Sequence, residues 1–212
     1  MHKFWNWFTK ITGWLPQKLI FRTRVYCEDG AEHGRRIKGP AIVICNHTSV
    51  WDLPVLMFVF FGRTVRWQIA ELQFDKKFLG RFLRMLGGIK VDRVNRNFAF
   101  ISQSEEILGA GGVVGIFPES RLPLKDEERP LPFKPSAAYI ALSSNVPVIP
   151  VYTNGSYFTK KHASVMIGRP VNVYDFTDGG LSEKENIDNV TNVLRERVIE
   201  LGKELEANEK DR

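Results

Sequence analysis

From residue 41 onward, short apolar runs alternate with segments in which apolar positions recur at helical spacing. Candidate strands are residues 41–45, 65–70, 88–92, 113–117, 146–152 and 164–167, and candidate helices are 53–61, 75–86, 97–108 and 136–143. Such alternation predicts an α/β fold with a mixed, partly parallel central sheet flanked by helices. Two prolines, Pro147 and Pro150, fall in the strand at 146–152 and predict an edge or irregular strand. Ser182 and Glu185 have the spacing of a capping box. They open a last helix with apolar Ile187, Val190, Leu194, Val198 and Leu201, expected to fray beyond Leu205.

The first twenty residues follow a different pattern. Phe4, Phe8, Ile11, Leu15 and Leu19 share one helical stripe, Trp5, Trp7 and Trp14 lie among them, and Lys3, Lys10 and Lys18 interrupt. Indole rings favour the headgroup level of a bilayer, so an amphipathic helix lying in the membrane interface is predicted, against the alternative of an ordinary core helix. No run reaches the ~18 to 20 apolar residues that span a bilayer, and residues 53–62 read as a buried helix. No small-residue cleavage site follows a long apolar core, so a secretory signal is not expected. The chain divides into an interface segment at 1–22, one globular domain at 23–206 and a charged tail at 207–212.

Charge and cysteines narrow the partners. A formal charge of +6 over 212 residues favours an anionic lipid surface. The Lys and Arg residues are scattered, with no finger, RNP-like or basic-zipper pattern, so nucleic acid is not an expected partner. Cys27 and Cys45 make neither a disulfide framework nor a zinc spacing, and no metal site is predicted.

Candidate chemistry gathers at predicted strand ends, where open α/β sheets place their reactive groups. His47 and Asp52 follow the strand at 41–45. On one helix their spacing would turn about 500° and leave them roughly 140° apart. Pro54 instead suits the first turn of a helix starting near Asp52, leaving His47 on the preceding loop, free to fold back. A carboxylate on one ring nitrogen sets the tautomer and raises the basicity of the other, the arrangement of a general base. By itself the pair also fits a structural histidine at a turn. Arg93 ends the strand at 88–92, a planar cationic fork suited to phosphate or carboxylate, although a surface arginine paired with Asp92 or another acid would also account for it; Glu119 and Arg121 follow Pro118 after the strand at 113–117, where a structural ion pair would also account for them. Lys134 stands just before the helix at 136–143, whose free N–H groups favour an anion.

Four blocks in order, Asn46-His47 to Asp52, Gly88 to Arg93, Phe117-Pro118-Glu119 and Val146 to Val151, resemble the glycerolipid acyltransferases, a 1-acylglycerol-3-phosphate acyltransferase-like family with a His-x4-Asp signature. The resemblance covers about half the chain. It implies acyl transfer from a thioester, acyl-CoA or acyl-carrier protein, to the hydroxyl of a lysophosphatidic-acid-like acceptor, giving phosphatidic acid in phospholipid biosynthesis. It further implies His47 as base, Asp52 as its partner, Arg93, Glu119 and Arg121 in glycerol-phosphate binding, no separate cofactor, and peripheral or monotopic work at the cytoplasmic face of a membrane. Another lysolipid or amino-lipid acceptor, or a non-catalytic lipid-binding protein on the same fold, are the alternatives. This chain departs from the family in the third block, which commonly reads Phe-Pro-Glu-Gly-Thr-Arg; here Ser120-Arg121 follow Glu119.

Overall fold

The computed structural model describes residues 1–29, 31, 35–92, 97–159 and 162–210. In chain order the elements are α1 (His2–Phe21), β1 (Arg24–Cys27), β2 (Ala41–Cys45), α2 (Asp52–Val59), β3 (Val65–Ala70), α3 (Glu71–Phe74), α4 (Lys77–Leu86), β4 (Ile89–Val91), α5 (Ala99–Gly109), β5 (Val113–Ile116), α6 (Ser136–Ser144), β6 (Val148–Thr153), β7 (Ser164–Ile167), a 3-10 turn (Val173–Phe176) and α7 (Glu183–Lys210). A seven-stranded sheet runs in the order β1-β7-β6-β2-β5-β3-β4. Its neighbours are parallel except for β6 and β7, which are antiparallel. The mixed sheet with flanking helices is as predicted, and it is mostly rather than partly parallel.

Central strand β2 is buried along its whole length, which is why its sequence is a continuous apolar run rather than an alternating one. Successive side chains still point to opposite faces. Ala41, Val43 and Cys45 pack with Val55 and Leu56 of α2 and with Phe60 just after it, while Ile42 and Ile44 pack with Ile140 of α6 and Leu194 and Val198 of α7. Two apolar layers thus sandwich the sheet, and the C-terminal ends of β2 and β5 open toward the same side.

Among the differences from the reading of the sequence, three bear on the sheet and the last helix. Strand β1 is an addition: four residues, Arg24 to Cys27, pair in parallel with β7, too short and mixed in polarity to stand out. Strand β6 lies inside the sheet, not at an edge. Pro150 is accommodated because it precedes the first β6–β7 register pair, Val151 with Ile167, so its missing N–H falls where that pairing ends, and its carbonyl accepts from Gly168 N at 2.9 Å. Helix α7 continues to Lys210, where Asn154 Nδ2 donates to Glu209 Oε1 at 2.9 Å. Its predicted capping box is present: Ser182 N donates to Glu185 Oε2 at 2.8 Å and Glu185 N to Ser182 Oγ at 3.3 Å.

Helix α1 packs on α2 and α4 with its polar side inward. Asn6 and Lys10 are buried, and the Lys10 ammonium donates to the carbonyls of Phe60, Phe61 and Arg63 at 2.9, 3.1 and 2.7 Å. These carbonyls lie past the end of α2, where a cation is well placed, and that of Phe60 also accepts from Arg63 N at 3.2 Å. The predicted stripe of Phe4, Phe8, Ile11, Leu15 and Leu19 is exposed instead. An ordinary core helix would bury that stripe, so this alternative does not hold.

Candidate active site

Helix α2 begins at Asp52, and the loop from β2 folds His47 back onto it. Asp52 is fully buried and accepts five hydrogen bonds. Oδ2 takes His47 Nδ1 at 2.8 Å, Thr48 N at 2.7 Å and Ser49 N at 2.9 Å; Oδ1 takes Thr48 Oγ1 at 2.8 Å and Tyr157 OH at 2.6 Å. An ionised carboxylate only accepts, so Nδ1 carries the ring proton and Nε2 bears the lone pair. Burial of a carboxylate is costly unless its lone pairs are met, and these donors meet them.

The imidazole is also held by its face. The Phe117 ring stacks on it at 4.3 Å between centroids, and Trp67 stacks on Phe117 at 4.8 Å. Gly115 makes that second layer possible: a Cβ there would come within 2.4 Å of the Trp67 ring. One short strand, β5, thereby supplies both the space for Trp67 and the residue that braces His47.

His47 lines a cavity of about 680 Å³. Val50, Leu53, Ile69, Leu79, Leu83, Val91, Phe98 and Phe100 make most of its wall apolar, and Gln68, Gln73, Asp92, Ser120, Arg121, Lys134 and Ser136 supply the polar places. An apolar chamber with a few convergent polar groups beside a histidine suits a long hydrocarbon carrying one polar end. Cys45, on the strand before His47, is fully buried and its thiol is pushed well up by burial, which leaves it inert as a nucleophile.

The other sequence candidates separate. Lys134 lines the cavity, and its backbone N–H ties to Pro118 O at 2.8 Å. Arg121 is on the same wall, but its guanidinium is paired with Glu127 through two bonds of 2.6 Å, and this partner holds the Glu127 carboxyl down at about 2. Glu119 is buried and turned away from the chamber. Its Oε1 accepts His47 N at 2.8 Å and its Oε2 accepts Leu131 N at 3.0 Å, so both oxygens clamp backbone; burial raises its carboxyl above the usual range. The alternative of an ion pair between Glu119 and Arg121 is not what forms, since Arg121 pairs with Glu127. Arg93 lies outside the described residues.

Ser120 explains the departure in the third block. Its φ is 65°, the left-handed region that glycine enters without steric cost. Ser120 thus stands at the place of the family's glycine, and Arg121 at that of the threonine.

Sequence reasoning missed Tyr157, and it left Phe117 and Trp67 without a role. A signal for Tyr157 was present: it lies in the loop after β6, another strand C-terminal end. Asn46 closes the same region, with Oδ1 accepting Thr153 N at 2.7 Å and Nδ2 donating to Thr153 O at 2.9 Å.

The Acyltransferase family model matches residues 22–154. Similar proteins include the 1-acyl-sn-glycerol-3-phosphate acyltransferase of Bacillus subtilis (strain 168), 27% identical over 170 residues, spanning 78% of this chain and 82% of that one. A human 1-acyl-sn-glycerol-3-phosphate acyltransferase beta is 34% identical over 131 residues, covering 58% of this chain and 45% of its own. The fold is similar to the crystal structure of the 1-acyl-sn-glycerophosphate (LPA) acyltransferase, PlsC, from Thermotoga maritima, with a TM-score of 0.64, 24% identity, and 86% of this chain and 73% of that one covered. The chain belongs to the acyltransferase family and is an O-acyltransferase.

Proposed function

We propose that this acyltransferase moves a fatty acyl group from an acyl thioester, linked to coenzyme A or a carrier protein, to the free hydroxyl of a lysophosphatidic-acid-like acceptor, giving phosphatidic acid. The observation that carries the reading is the His47–Asp52 pair on the wall of the apolar cavity, with Nδ1 committed to Asp52 and Nε2 left for substrate. Relatives named for this activity support the acceptor.

In the reaction His47 Nε2 takes the acceptor hydroxyl proton as its oxygen attacks the thioester carbonyl. Asp52 stabilises the imidazolium without taking the proton itself. Collapse of the tetrahedral intermediate breaks the carbon–sulfur bond, and the proton passes from Nε2 to the departing thiolate. No cofactor enters this scheme; the thioester is a co-substrate. Lys134 and Arg93 are assigned to the acceptor phosphate, with Arg121 contributing only when it leaves Glu127. Glu119 acts on the acceptor through backbone, by fixing the His47 loop and the segment at Leu131. A different lysolipid or an amino-lipid acceptor is the second reading, and the Arg121–Glu127 pairing favours a headgroup of lower negative charge, because that pair takes one cation away from a phosphate monoester.

The exposed apolar stripe of α1 and the charge of +6 support peripheral attachment to anionic lipid, which we assign to the cytoplasmic face of a membrane. No helix among the described residues is long and apolar enough to cross a membrane.

General-base assistance is worth about 10² to 10⁴ in rate. His47→Ala should lose that factor in a thiol-release assay with oleoyl-CoA and oleoyl lysophosphatidic acid while still binding lipid. Turnover within tenfold of wild type would remove His47 from the mechanism.

A further inference from the structure

Asp52 serves two rings. His47 approaches its Oδ2 from the same loop, while Tyr157 reaches its Oδ1 from 105 residues away, on the turn after β6. The Tyr157 phenol is buried, and burial beside the carboxylate pushes its ionisation well above the usual range. It is therefore the donor in the 2.6 Å bond to Oδ1. With its proton committed there, the phenol oxygen accepts from Thr153 Oγ1 at 3.1 Å. A chain of donors thus runs from Thr153 through Tyr157 into the carboxylate that holds the imidazole.

The surrounding turn is shaped for this contact. Gly155 has φ 65°, and a Cβ there would come within 2.5 Å of Thr48 Oγ1, itself a donor to Asp52. Phe158, with φ 57°, turns its ring outward against Trp51 while Tyr157 turns inward, edge-on to Phe21 at 5.8 Å. None of this is needed to hold the local His47–Asp52 contact. It adds a strong donor to a carboxylate already supplied by its own loop.

We propose that Tyr157 is a positioning residue of the acyl-transfer site, sharing Asp52 with His47 and so setting how strongly the imidazole is held and how basic its free nitrogen is. The role rests on His47 being the base. A donor on Oδ1 disperses the carboxylate charge that draws the Nδ1 proton. Removing it concentrates that charge on the imidazole, stabilises the imidazolium and moves the onset of activity to higher pH.

The test is the pH dependence of kcat and kcat/KM for Tyr157→Phe, measured by thiol release from oleoyl-CoA with oleoyl lysophosphatidic acid. The ring and its packing against Phe21 are kept. The acid limb should move up by roughly half a unit to one unit, with kcat about tenfold lower and KM within about twofold. Site-specific 3-fluorotyrosine at position 157, a stronger donor with the same shape, should move the limb down, and it keeps the test decisive if the phenylalanine variant fails to fold. A limb that stays in place in either folded variant, whatever its height, overturns the role, as does a change confined to KM. His47→Ala separates the two readings. Turnover within tenfold of wild type overturns the base assignment and Tyr157's role with it. Full loss there, with an unmoved Tyr157→Phe profile, overturns only the role of Tyr157.

Discussion

Helices α1 and α7 are both amphipathic, and they face opposite ways. In α7 the apolar positions Val190, Leu194, Val198, Leu201 and Leu205 are buried against the sheet. In α1 the apolar stripe is exposed, and Asn6 and Lys10 are turned into the protein. Periodicity defines a stripe and leaves its destination open. The destination of α1 is decided by what its polar side meets: the carbonyls of Phe60, Phe61 and Arg63 past the end of α2, which the Lys10 ammonium gathers, and a groove so close that a Cβ on Gly13 would come within 2.8 Å of the Phe58 ring. One helix completes the core, whereas the other completes a helix terminus and offers its apolar side to the surroundings.

The same substitution on the two stripes should separate them most. Leu194 is 1% exposed and Ile11 is 64% exposed. Leu194→Asp buries an unpaired carboxylate and should cost more than about 4 kcal/mol, seen as loss of the folded state in urea titration. Ile11→Asp should change stability by no more than about 0.5 kcal/mol and instead reduce sedimentation with vesicles of phosphatidylglycerol and phosphatidylcholine. Equal loss of stability in the two variants would break the comparison.

A smaller effect is expected at the lysine. Lys10→Met removes a charged donor from three carbonyls and should cost about 1.5 to 3 kcal/mol, whereas Lys203→Met on the exposed side of α7 should leave the urea midpoint nearly unchanged. A midpoint for Lys10→Met equal to that of wild type would show that the contact does not hold α1 in place.

The last effect concerns pH. Burial pushes the Lys10 ammonium from 10.5 down to about 8. Between those values the unfolded chain holds the proton more tightly than the folded one. Stability linked to Lys10 therefore rises with pH from about 8 toward 10.5, and below about 8 the full cost of burying the charge is present. The difference in Tm between wild type and Lys10→Met should widen across that window. A constant difference would mean that Lys10 titrates at its ordinary value.

The active site divides along the same line between local and distant contacts. His47, Asp52 and the start of α2 at Pro54 lie within one loop and one helix turn, so steric preference and spacing were enough to bring the pair together. The partners of Ser182 and Glu185 are likewise within four residues, and their capping box was legible for the same reason. Glu119 was legible as a buried-site candidate, but its orientation was not. Its two backbone partners, His47 N and Leu131 N, come from opposite directions along the chain. Arg121 was named as a ligand for the acceptor, yet Glu127 across the turn holds it.

What the sequence by itself determined is the alternation of elements, a mixed and at least partly parallel sheet, the His47–Asp52 pair and the existence of an amphipathic first helix. All of these depend on short-range periodicity, turn chemistry and burial, which act within a few residues. Tertiary structure alone decided that β6 lies inside the sheet, that Tyr157 joins Asp52, that Trp67 and Phe117 stack behind His47, and that α1 turns its polar side inward. Each of these joins groups far apart in the chain. Their energies come from packing and from satisfying buried polar atoms, quantities that exist only once the distant surfaces have met.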